Sequence, residues 1–301
     1  MSATGIAATP APRPWAIALA LGVLYVVWGS TYLAIRIALE GYPPFLLGAI
    51  RMLLAGALMY AVLRWRGVPA PTRPQWRRLW WLSIFMVLLS NGLVNVAERE
   101  VSSGMAAVAV ASMPLWAALF ALARGERPGR VEWIGLAVGF AGVLWLNAGG
   151  TLAATPTGMI MLLVAPIAWA WGSIWSRGRD LPTPFMSAAG QMLTGGIWML
   201  AAALVTGERM TAWPSLQASL ALFYLVGFGS IVGFTAYIWL LHHVRPVLAT
   251  SYAYVNPPIA VLFGVLLAGE VISANEIAAT AVILAGVAVI TLARSRPRPS
   301  N

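Results

Sequence analysis

A few polar side chains inside otherwise apolar stretches are the residues best suited to bind a small molecule. Asn91 and Asn95 are four residues apart, so they share one face of a helix. Two amides that face lipid would be costly, and this face should therefore line either a cavity or a contact with another helix. Tyr252 and Asn256 have the same spacing, and their polar groups could contact a bound molecule in the same way.

A second group of candidates combines aromatic rings with hydroxyl groups. Its members are Trp28, Ser30, Thr31 and Tyr32 in the first apolar stretch, Trp171 and Ser173 at the corresponding place later in the chain, and Tyr237. Trp so far from the end of an apolar stretch is unusual as an interfacial anchor, so it should wall a cavity or pack between helices. A cavity of this kind would suit apolar or aromatic groups, and also flat organic cations through the ring faces.

Two prolines, Pro114 and Pro257, fall near the middle of apolar stretches. Each removes a backbone donor and obstructs the carbonyl group one turn earlier. Each is therefore either a purely structural kink or a hinge, and it frees carbonyl groups near Val110 and Ala253 that need partners. Broken helices at matching positions of two halves are a pointer to a transport site.

Metal and acid–base chemistry have little support. The chain has no Cys, its two His are adjacent, and no Asp, Glu or Lys lies in the middle third of any apolar stretch. We therefore expect no metal, no cofactor and no catalytic residue. A carboxylate within the membrane is the usual sign of a proton or ion relay. Glu98, at the end of the third stretch, is the best candidate for ion coupling. The alternative is that it pairs with Arg99 or another nearby Arg.

The composition places these residues in a membrane protein. Of the 301 residues, 60% are hydrophobic and 9% are charged, whereas soluble domains carry about 25% charged residues. Ten apolar stretches approach the length of about 20 residues that spans a bilayer as a helix. They are Trp15–Leu39, Phe45–Leu63, Leu79–Ala97, Ser103–Leu122, Val131–Asn147, Thr157–Trp175, Phe185–Val205, Gln217–Leu241, Leu248–Leu267 and Glu276–Leu292. We predict an all-α integral membrane protein of ten transmembrane helices, in contact with the lipid bilayer.

The placement of arginine predicts the orientation. The net charge of +10 comes from short Arg clusters between the apolar stretches rather than from one patch, which argues against nucleic acid as a partner. With a cytoplasmic N-terminus, the outer half holds only Arg36, Arg51, Arg99 and Arg209, and the other 15 of the 19 basic residues lie inside. Such an asymmetry follows the positive-inside rule. Both termini are therefore predicted to be cytoplasmic.

The two halves of the chain resemble each other at an offset of about 143 residues. The matching segments are Trp28-Gly29-Ser30 with Trp171-Gly172-Ser173, Gly125-Glu126 with Gly269-Glu270, and Ala141-Gly142-Val143 with Ala285-Gly286-Val287. Because five helices per half is an odd number, the second half must enter the membrane from the opposite side. Residues 1–147 and 148–301 are therefore predicted to form two inverted five-helix repeats. This construction is typical of carriers that alternate access around a central site.

Two other classes of function fit less well. A channel would need a more polar pore lining than these helices offer. A membrane enzyme acting on lipid would need a nucleophile, an acid–base pair or a metal site at the interface. The only clusters of suitable residues are Glu98-Arg99-Glu100 and His242-His243, and neither has a partner set at suitable spacing.

The chain also resembles the ten-helix, EamA-type branch of the drug/metabolite transporter superfamily. The resemblance runs from Trp15 to about Ala293 and is carried by these residues: Trp28-Gly29-Ser30-Thr31-Tyr32, Arg51, Ala97-Glu98, Pro114, Gly125-Glu126, Ala249–Pro257 and Gly269-Glu270. It implies an exporter of small metabolites in a bacterial inner membrane, similar to the YddG- and YedA-like exporters of amino acids, aromatic and hydrophobic ones included. A multidrug or organic-cation exporter of the same fold is the alternative that it implies.

Small residues predict where helices approach closely. Gly135 and Gly139 in the fifth stretch, and Gly229 and Gly233 in the eighth, have the spacing that lets helix backbones touch. The fifth and tenth stretches have few polar residues at depth, which suggests a homodimer interface.

Overall fold

The computed structural model describes residues 13–100, 109–147, 155–268 and 273–292, and these residues form helices without any strand. The helices are α1 (Pro14–Leu39), α2 (Pro44–Trp65), α3 (Arg73–Ala97), α4 (Ala109–Ala123), α5 (Arg130–Asn147), α6 (Pro156–Ser176), α7 (Pro184–Val205), α8 (Leu216–His243), α9a (Pro246–Ala249), α9b (Tyr252–Ala268) and α10 (Ala274–Leu292). Residues 103–108 of the predicted fourth helix, Gly269-Glu270, and the arginines after Leu292 lie outside the described residues.

Six helices are long and apolar enough to cross a membrane: α1, α2, α3, α6, α7 and α8. Two shorter apolar stretches, Ala109–Ala123 in α4 and Ile277–Ile290 within α10, add to them in the part of the chain that is described. The structure is therefore that of a multi-pass helical membrane protein, as the composition predicts. The count of ten spanning helices stays a prediction.

Prolines start several helices, one residue before the predicted first residue. Pro14, Pro44, Pro156 and Pro184 are each the first residue of a helix, and the residue before each of them is extended or nearly so. The first N–H of a helix has no partner within the helix, so proline loses nothing there, and its fixed φ already suits the helix. Thr72 and Ser215 cap α3 and α8 with their hydroxyl groups, and Gln75 completes a capping box at α3.

Two helices contain a stretch of π-helix that the sequence analysis did not predict. The π segments are Ile84–Gly92 in α3 and Leu225–Phe234 in α8, which lie about 141 residues apart and so occupy matching places in the two halves. In the first of them, the side-chain Nδ2 of Asn91 donates to the carbonyl oxygen of Met86 at 2.9 Å. A polar side chain thus partners a carbonyl group in the irregular part of the helix, where π segments often mark functional sites.

Helices α4 and α9 are interrupted two to seven residues before the prolines that were predicted to break them. A turn at Ser112 precedes Pro114, which lies in the first turn of the helix that follows. A turn at Thr250 and Ser251 separates α9a from α9b, and Pro257 lies within α9b. The interruption is therefore not centred on the proline in either helix. Pro114 lies where an N–H group would have no partner within the helix, whereas Pro257 lies inside α9b and leaves the carbonyl group of Ala253 without its usual donor.

Helices from the two halves pack in matched pairs. α2 packs along α7, and α5 along α10, while α1 contacts α9b and α6 contacts α4. In the α5–α10 pair, Gly135 lies against Ile290 and Gly142 lies against Ile283, so the two helices run antiparallel. In the α2–α7 pair, Gly48 meets Met199 and Gly56 meets Leu193, which gives the same antiparallel order.

The predicted close approach at Gly135 and Gly139 occurs within the chain. A Cβ atom built on Gly286 of α10 would lie 2.5 Å from the backbone nitrogen of Gly139 and 2.9 Å from the carbonyl oxygen of Gly135. Such contact is the packing that small residues allow. The glycine face of α5 is therefore covered by α10 of the same chain, and a homodimer through these two helices stays a prediction for their other faces.

Candidate functional site

A cavity lies between α1, α2, α3, α4, α6, α8 and α9b, towards the ends at which α1 and α3 finish. Its lining residues are Trp28, Thr31, Tyr32, Ile35, Arg51, Ser90, Asn91, Val94, Asn95, Val110, Met113, Ala165, Pro166, Trp169, Phe234, Tyr252 and Asn256. Counted as space for the centres of water molecules, its volume is about 80 Å³, several times the space that one water needs. A metabolite larger than a few waters would require the walls to move.

Aromatic rings form one wall of the cavity. Trp28 of α1 lies 4.5 Å from Tyr252 of α9b and 5.5 Å from Trp169 of α6, measured between ring centroids, and both contacts are edge-to-face. Tyr237 of α8 packs behind them, 5.5 Å from Trp28 and 4.9 Å from Trp169. Such geometry is favourable for aromatic pairs. The two halves of the chain thus supply one continuous aromatic surface.

Glycines of the second π segment make room for this wall. The indole Nε1 of Trp28 donates to the carbonyl oxygen of Gly229 at 2.9 Å. A Cβ atom at Gly233 would clash with the Trp28 ring, and one at Gly229 would lie 3.0 Å from Nη2 of Arg51. Gly229 and Gly233 therefore make room for side chains of α1 and α2. The sequence had instead predicted that they let two helix backbones touch.

Polar groups form another part of the lining. Arg51 is buried, with 5% of its surface exposed, and its Nε donates to Oγ of Ser230 at 2.7 Å. Asn95 donates from Nδ2 to the carbonyl oxygen of Pro44 at 3.2 Å. Asn91 and Asn95 thus both line the cavity; Asn95 also bonds to another helix, whereas the bond of Asn91 stays within α3.

Some buried polar atoms near the cavity have no hydrogen-bond partner among the described residues. They are Oδ1 of Asn256 and Nε1 of Trp169, two residues of the cavity lining, and Oε1 of Glu98, the residue that follows α3. A buried polar group without a partner costs about 1–3 kcal/mol. The indole of Trp169 faces the hydroxyl group of Tyr237, which leaves the amide oxygen of Asn256 and the carboxylate oxygen of Glu98 as the groups that a ligand or water could satisfy.

Glu98 follows the last residue of α3 and forms no ion pair within the described residues, neither with Arg99 nor with another Arg. Burial raises the pKa of its carboxyl group to about 8, although the nearby Arg36 and Arg51 lower it. Burial disfavours the charged form, which explains the direction of the shift. A carboxyl group whose pKa is raised in this way keeps its proton to a higher pH than an exposed carboxyl group does.

The far end of the molecule, where α4, α6 and α8 finish, is held by ion pairs between the halves. Nη1 of Arg245 lies 2.7 Å from Oε1 of Glu132, and Nη1 of Arg78 lies 2.6 Å from Oδ2 of Asp180. Arg177 Nε lies 3.7 Å from Glu126 Oε1. Each of these ion pairs joins residues 1–147 to residues 148–301. In this conformation the two halves are therefore tied together at the end opposite the cavity.

The structure brings most of the predicted site residues together. Trp28, Thr31, Tyr32, Asn91, Asn95, Tyr252 and Asn256 all line the cavity. Tyr237 lies behind the aromatic wall, with its hydroxyl 2.6 Å from Oγ of Ser173. Ser30 turns away from the cavity, and its Oγ lies 2.6 Å from the hydroxyl of Tyr224. Pro114 and Pro257 are not among the lining residues.

Trp171 does not lie at the cavity. It is 41% exposed and packs edge-to-face on Phe120, at 5.5 Å between centroids. Trp169 takes the expected place instead. Two residues along a helix differ by about 200° in direction, so Trp169 and Trp171 face opposite sides. The spacing to Ser173 could have identified Trp169, because residues four apart share a face and Oγ of Ser173 donates to the carbonyl oxygen of Trp169.

Arg51 is another of the lining residues that the site prediction omitted. From its position near the start of the second apolar stretch, which is the predicted outer end of that helix, pairing with a carboxylate and snorkelling to lipid phosphate were equally suitable roles. Only the packing of α2 against α8 shows that the side chain turns inward to Ser230. Ser90, Met113 and Phe234 were also missed, because nothing in the sequence distinguishes them from other residues of the apolar stretches.

Comparison with known proteins connects this architecture to transporters. The sequence model of the EamA-like transporter family matches residues 14–148 and 156–292. A protein of Escherichia coli (strain K12) named "Uncharacterized inner membrane transporter YedA" is 42% identical over 276 residues, which cover 91% of this chain and 90% of that protein. An "Uncharacterized transporter" of Archaeoglobus fulgidus is 25% identical over 251 residues, covering 81% of this chain and 86% of its own length.

A crystal structure of another protein superposes on the chain with a TM-score of 0.78. The two sequences are 22% identical, and the alignment covers 94% of this chain and 99% of the other. At this identity the likeness shows a shared fold.

Proposed function

Since this chain belongs to the EamA-like transporter family, we propose that it exports small metabolites, most of all amino acids with aromatic or hydrophobic side chains, by alternating access around the central cavity. The observation that carries the proposal is the cavity itself. Its lining comes from both halves of the chain and combines an aromatic wall with buried polar groups. The YedA relative is named as an inner membrane transporter, and we propose the same membrane for this chain.

Alternating access rests on an inverted relationship between the halves. α2 and α7 occupy corresponding places in the two halves, as do α5 and α10, and each pair packs antiparallel. The two π segments also occupy corresponding places. The segments matched by the family end at residue 148 and begin again at residue 156, next to the proposed boundary between 147 and 148. Inverted halves give a carrier two conformations of similar energy, open to opposite sides.

The cargo class follows from the two kinds of lining. The rings of Trp28, Trp169 and Tyr252 suit an apolar or aromatic side chain. The amides of Asn95 and Asn256 suit the polar groups of an amino acid. An organic cation is a second candidate because ring faces attract cations, but the positive charge of Arg51 in the same lining favours the amino acid.

Direction and orientation are part of the same proposal. With both termini in the cytoplasm, the ion-paired end of the molecule is cytoplasmic, and the cavity lies in the outer half of the membrane. In this conformation the inner end is closed by Arg245–Glu132 and Arg78–Asp180. Export then requires these ion pairs to separate so that cargo can enter from the cytoplasm.

Glu98 is the residue that we propose for proton coupling. Its buried carboxyl group has an unpartnered oxygen near Arg36 and Arg51. The transport rate of the unsubstituted protein should change with pH between about pH 7 and 9. In Glu98→Gln the rate should stay constant over this range, because the neutral amide cannot release a proton. An unchanged pH profile in that variant would remove Glu98 from the mechanism.

The experiment that tests the transporter proposal is counterflow in proteoliposomes. Purified protein is reconstituted, the vesicles are preloaded with unlabelled amino acid, and uptake of radiolabelled phenylalanine, tyrosine or leucine is followed without an imposed proton gradient. Saturable counterflow is expected. Trp28→Ala and Tyr252→Ala should lower the rate at least about tenfold with normal membrane expression, whereas Trp171→Ala is the matched control outside the cavity. Equal rates in all three variants would contradict the site.

A further inference from the structure

Arg51 is the only charged residue among the described residues that line the central cavity. It is 5% exposed, and no carboxylate of the described residues lies within 4 Å of its guanidinium group. Breaking up a buried ion pair is costly because a buried charge is left without a counter-charge. Glu98 is close enough to interact electrostatically with Arg51 but forms no ion pair with it, so the guanidinium group on the cavity wall is suited to an anion that arrives and leaves.

The hydrogen bonds of Arg51 leave its terminal nitrogens available. A guanidinium group carries five N–H donors, and the one hydrogen bond to another described residue runs from Nε to Oγ of Ser230 at 2.7 Å. The bond to Ser230 fixes the orientation of the guanidinium plane. The two terminal nitrogens together present the fork that matches the two oxygens of a carboxylate.

The fork lies next to the aromatic wall. Nη2 of Arg51 approaches Gly229 so closely that a Cβ atom there would be 3.0 Å away. The carbonyl oxygen of the same glycine accepts the hydrogen bond of Trp28 Nε1 at 2.9 Å. A charged donor and an aromatic ring thus both lie against the same glycine. A small molecule that carries an anionic group beside an apolar one would contact both.

We propose that Arg51 binds the carboxylate of the cargo through its terminal nitrogens, while the apolar part of the cargo packs against Trp28, Trp169 and Tyr252. This inference rests on the proposed function and narrows its substrate class to organic carboxylates. A phosphate, with its higher charge, would favour a second cation, and the described lining offers none. The free Oδ1 of Asn256 remains as an acceptor for an ammonium group of the same cargo.

The test compares acids with their neutral amides. Binding to the purified full-length protein is measured by quenching of tryptophan fluorescence, using L-phenylalanine against L-phenylalaninamide, L-leucine against L-leucinamide, phenylacetate against phenylacetamide, and phenyl phosphate. We expect the wild-type protein to bind at least one acid about tenfold more tightly than its amide. Equal binding of acids and amides, no binding of any acid, or a preference for phenyl phosphate would overturn the proposal, and this comparison needs no variant.

Variants then assign the preference to Arg51. Arg51→Gln should weaken binding of the acid by at least about thirtyfold, the loss expected when one partner of a buried charge pair is removed, and it should abolish the preference over the amide. Arg51→Lys should be intermediate, because it keeps the charge and loses the fork. Arg209→Gln makes the same charge change at an exposed position and should bind as the wild type does.

Two further outcomes separate this inference from the proposed function. If Arg51→Gln does not fold, Ser230→Ala is the variant to use, because it removes only the hydrogen bond to Nε of Arg51. This variant should still lower the preference for the acid over its amide. An unchanged preference would contradict the role of Arg51. Saturable counterflow of a neutral or cationic cargo that is insensitive to Arg51→Gln would leave the transporter standing and overturn the carboxylate site.

Discussion

The ion pair between Arg245 and Glu132 should control how often the proposed cytoplasmic end opens. Glu132 Oε1 lies 2.7 Å from Arg245 Nη1, and its other carboxylate oxygen accepts from the backbone nitrogen of Gly129 at 2.6 Å. Glu132→Gln removes the charge and can keep the bond to Gly129 through its amide oxygen. The variant therefore isolates the attraction between the two halves.

The size of the effect follows from the geometry. At 2.7 Å two unit charges attract by about 6 kcal/mol at an effective dielectric constant of about 20. The Arg245 side chain is 37% exposed, although that of Glu132 is only 5% exposed, so solvent screening and desolvation reduce the net value well below this. We take about 1–2 kcal/mol in favour of the closed end. Losing it should raise the population open to the cytoplasm by about five- to thirtyfold.

The assay uses the absence of cysteine from the chain. Ala117 is fully buried on α4, one turn from Met113 towards the ion-paired end and on the same face. An Ala117→Cys protein carries a single thiol, and its reaction with N-ethylmaleimide reports how often this path opens. The labelling rate should rise about five- to thirtyfold when Glu132→Gln is added.

A second carboxylate gives the matched control. Glu126 lies 3.7 Å from Arg177 and its side chain is 39% exposed, so Glu126→Gln should change the labelling rate by no more than about twofold. If Glu132→Gln labels no faster than its parent, or if both variants label equally fast, the ion pair between Arg245 and Glu132 does not hold this end closed.

Three further predictions concern stability and topology. Glu208 accepts hydrogen bonds from the first backbone N–H groups of α2 at 3.2 and 2.9 Å, so Glu208→Ala should lower the free energy of unfolding by about 1 kcal/mol. Thermal melting in detergent measures this change. As a control, substitution of the exposed Glu40 in Glu40→Ala should leave the melting temperature as in the parent protein. Gly286→Ala would press a Cβ atom onto the backbone of α5 and should lower the free energy of unfolding by about 1–3 kcal/mol. Gly22→Ala, where a Cβ atom would have nothing within 4 Å, should be neutral or stabilising. Similar melting temperatures of the two variants would contradict the packing. Reporter fusions at both termini should give cytoplasmic signals, and a periplasmic signal at either end would refute the orientation.

Much of the fold could be predicted from the sequence because a bilayer imposes simple rules. Low charge and long apolar stretches require helices that cross lipid, and the helices have bounds close to those expected. The starts of helices were predicted less well, since Pro14 and Pro44 belong to the helix rather than to the connector. The π segments could not be predicted, because their register depends on contacts such as the bond from Asn91 to Met86.

The sequence by itself determined which residue types could meet a small molecule in lipid. Polar pairs four residues apart share a helix face whatever that helix packs against, and the cost of exposing amides to lipid turns the face inward. Asn91 with Asn95 and Tyr252 with Asn256 could therefore be identified from spacing alone, and all four line the cavity.

Only the tertiary structure decided between residues whose local patterns are equivalent. Trp169 and Trp171 differ by which side of α6 faces the other half, and the sequence repeat with Trp28 favoured the outward one. Arg51 became a candidate binding group because α8 presents Ser230 to fix it and Gly229 to make room for it. A helix pattern defines faces but not neighbours, and it is the neighbours of a buried side chain that decide whether its charge is paired, exposed to lipid or free to bind cargo.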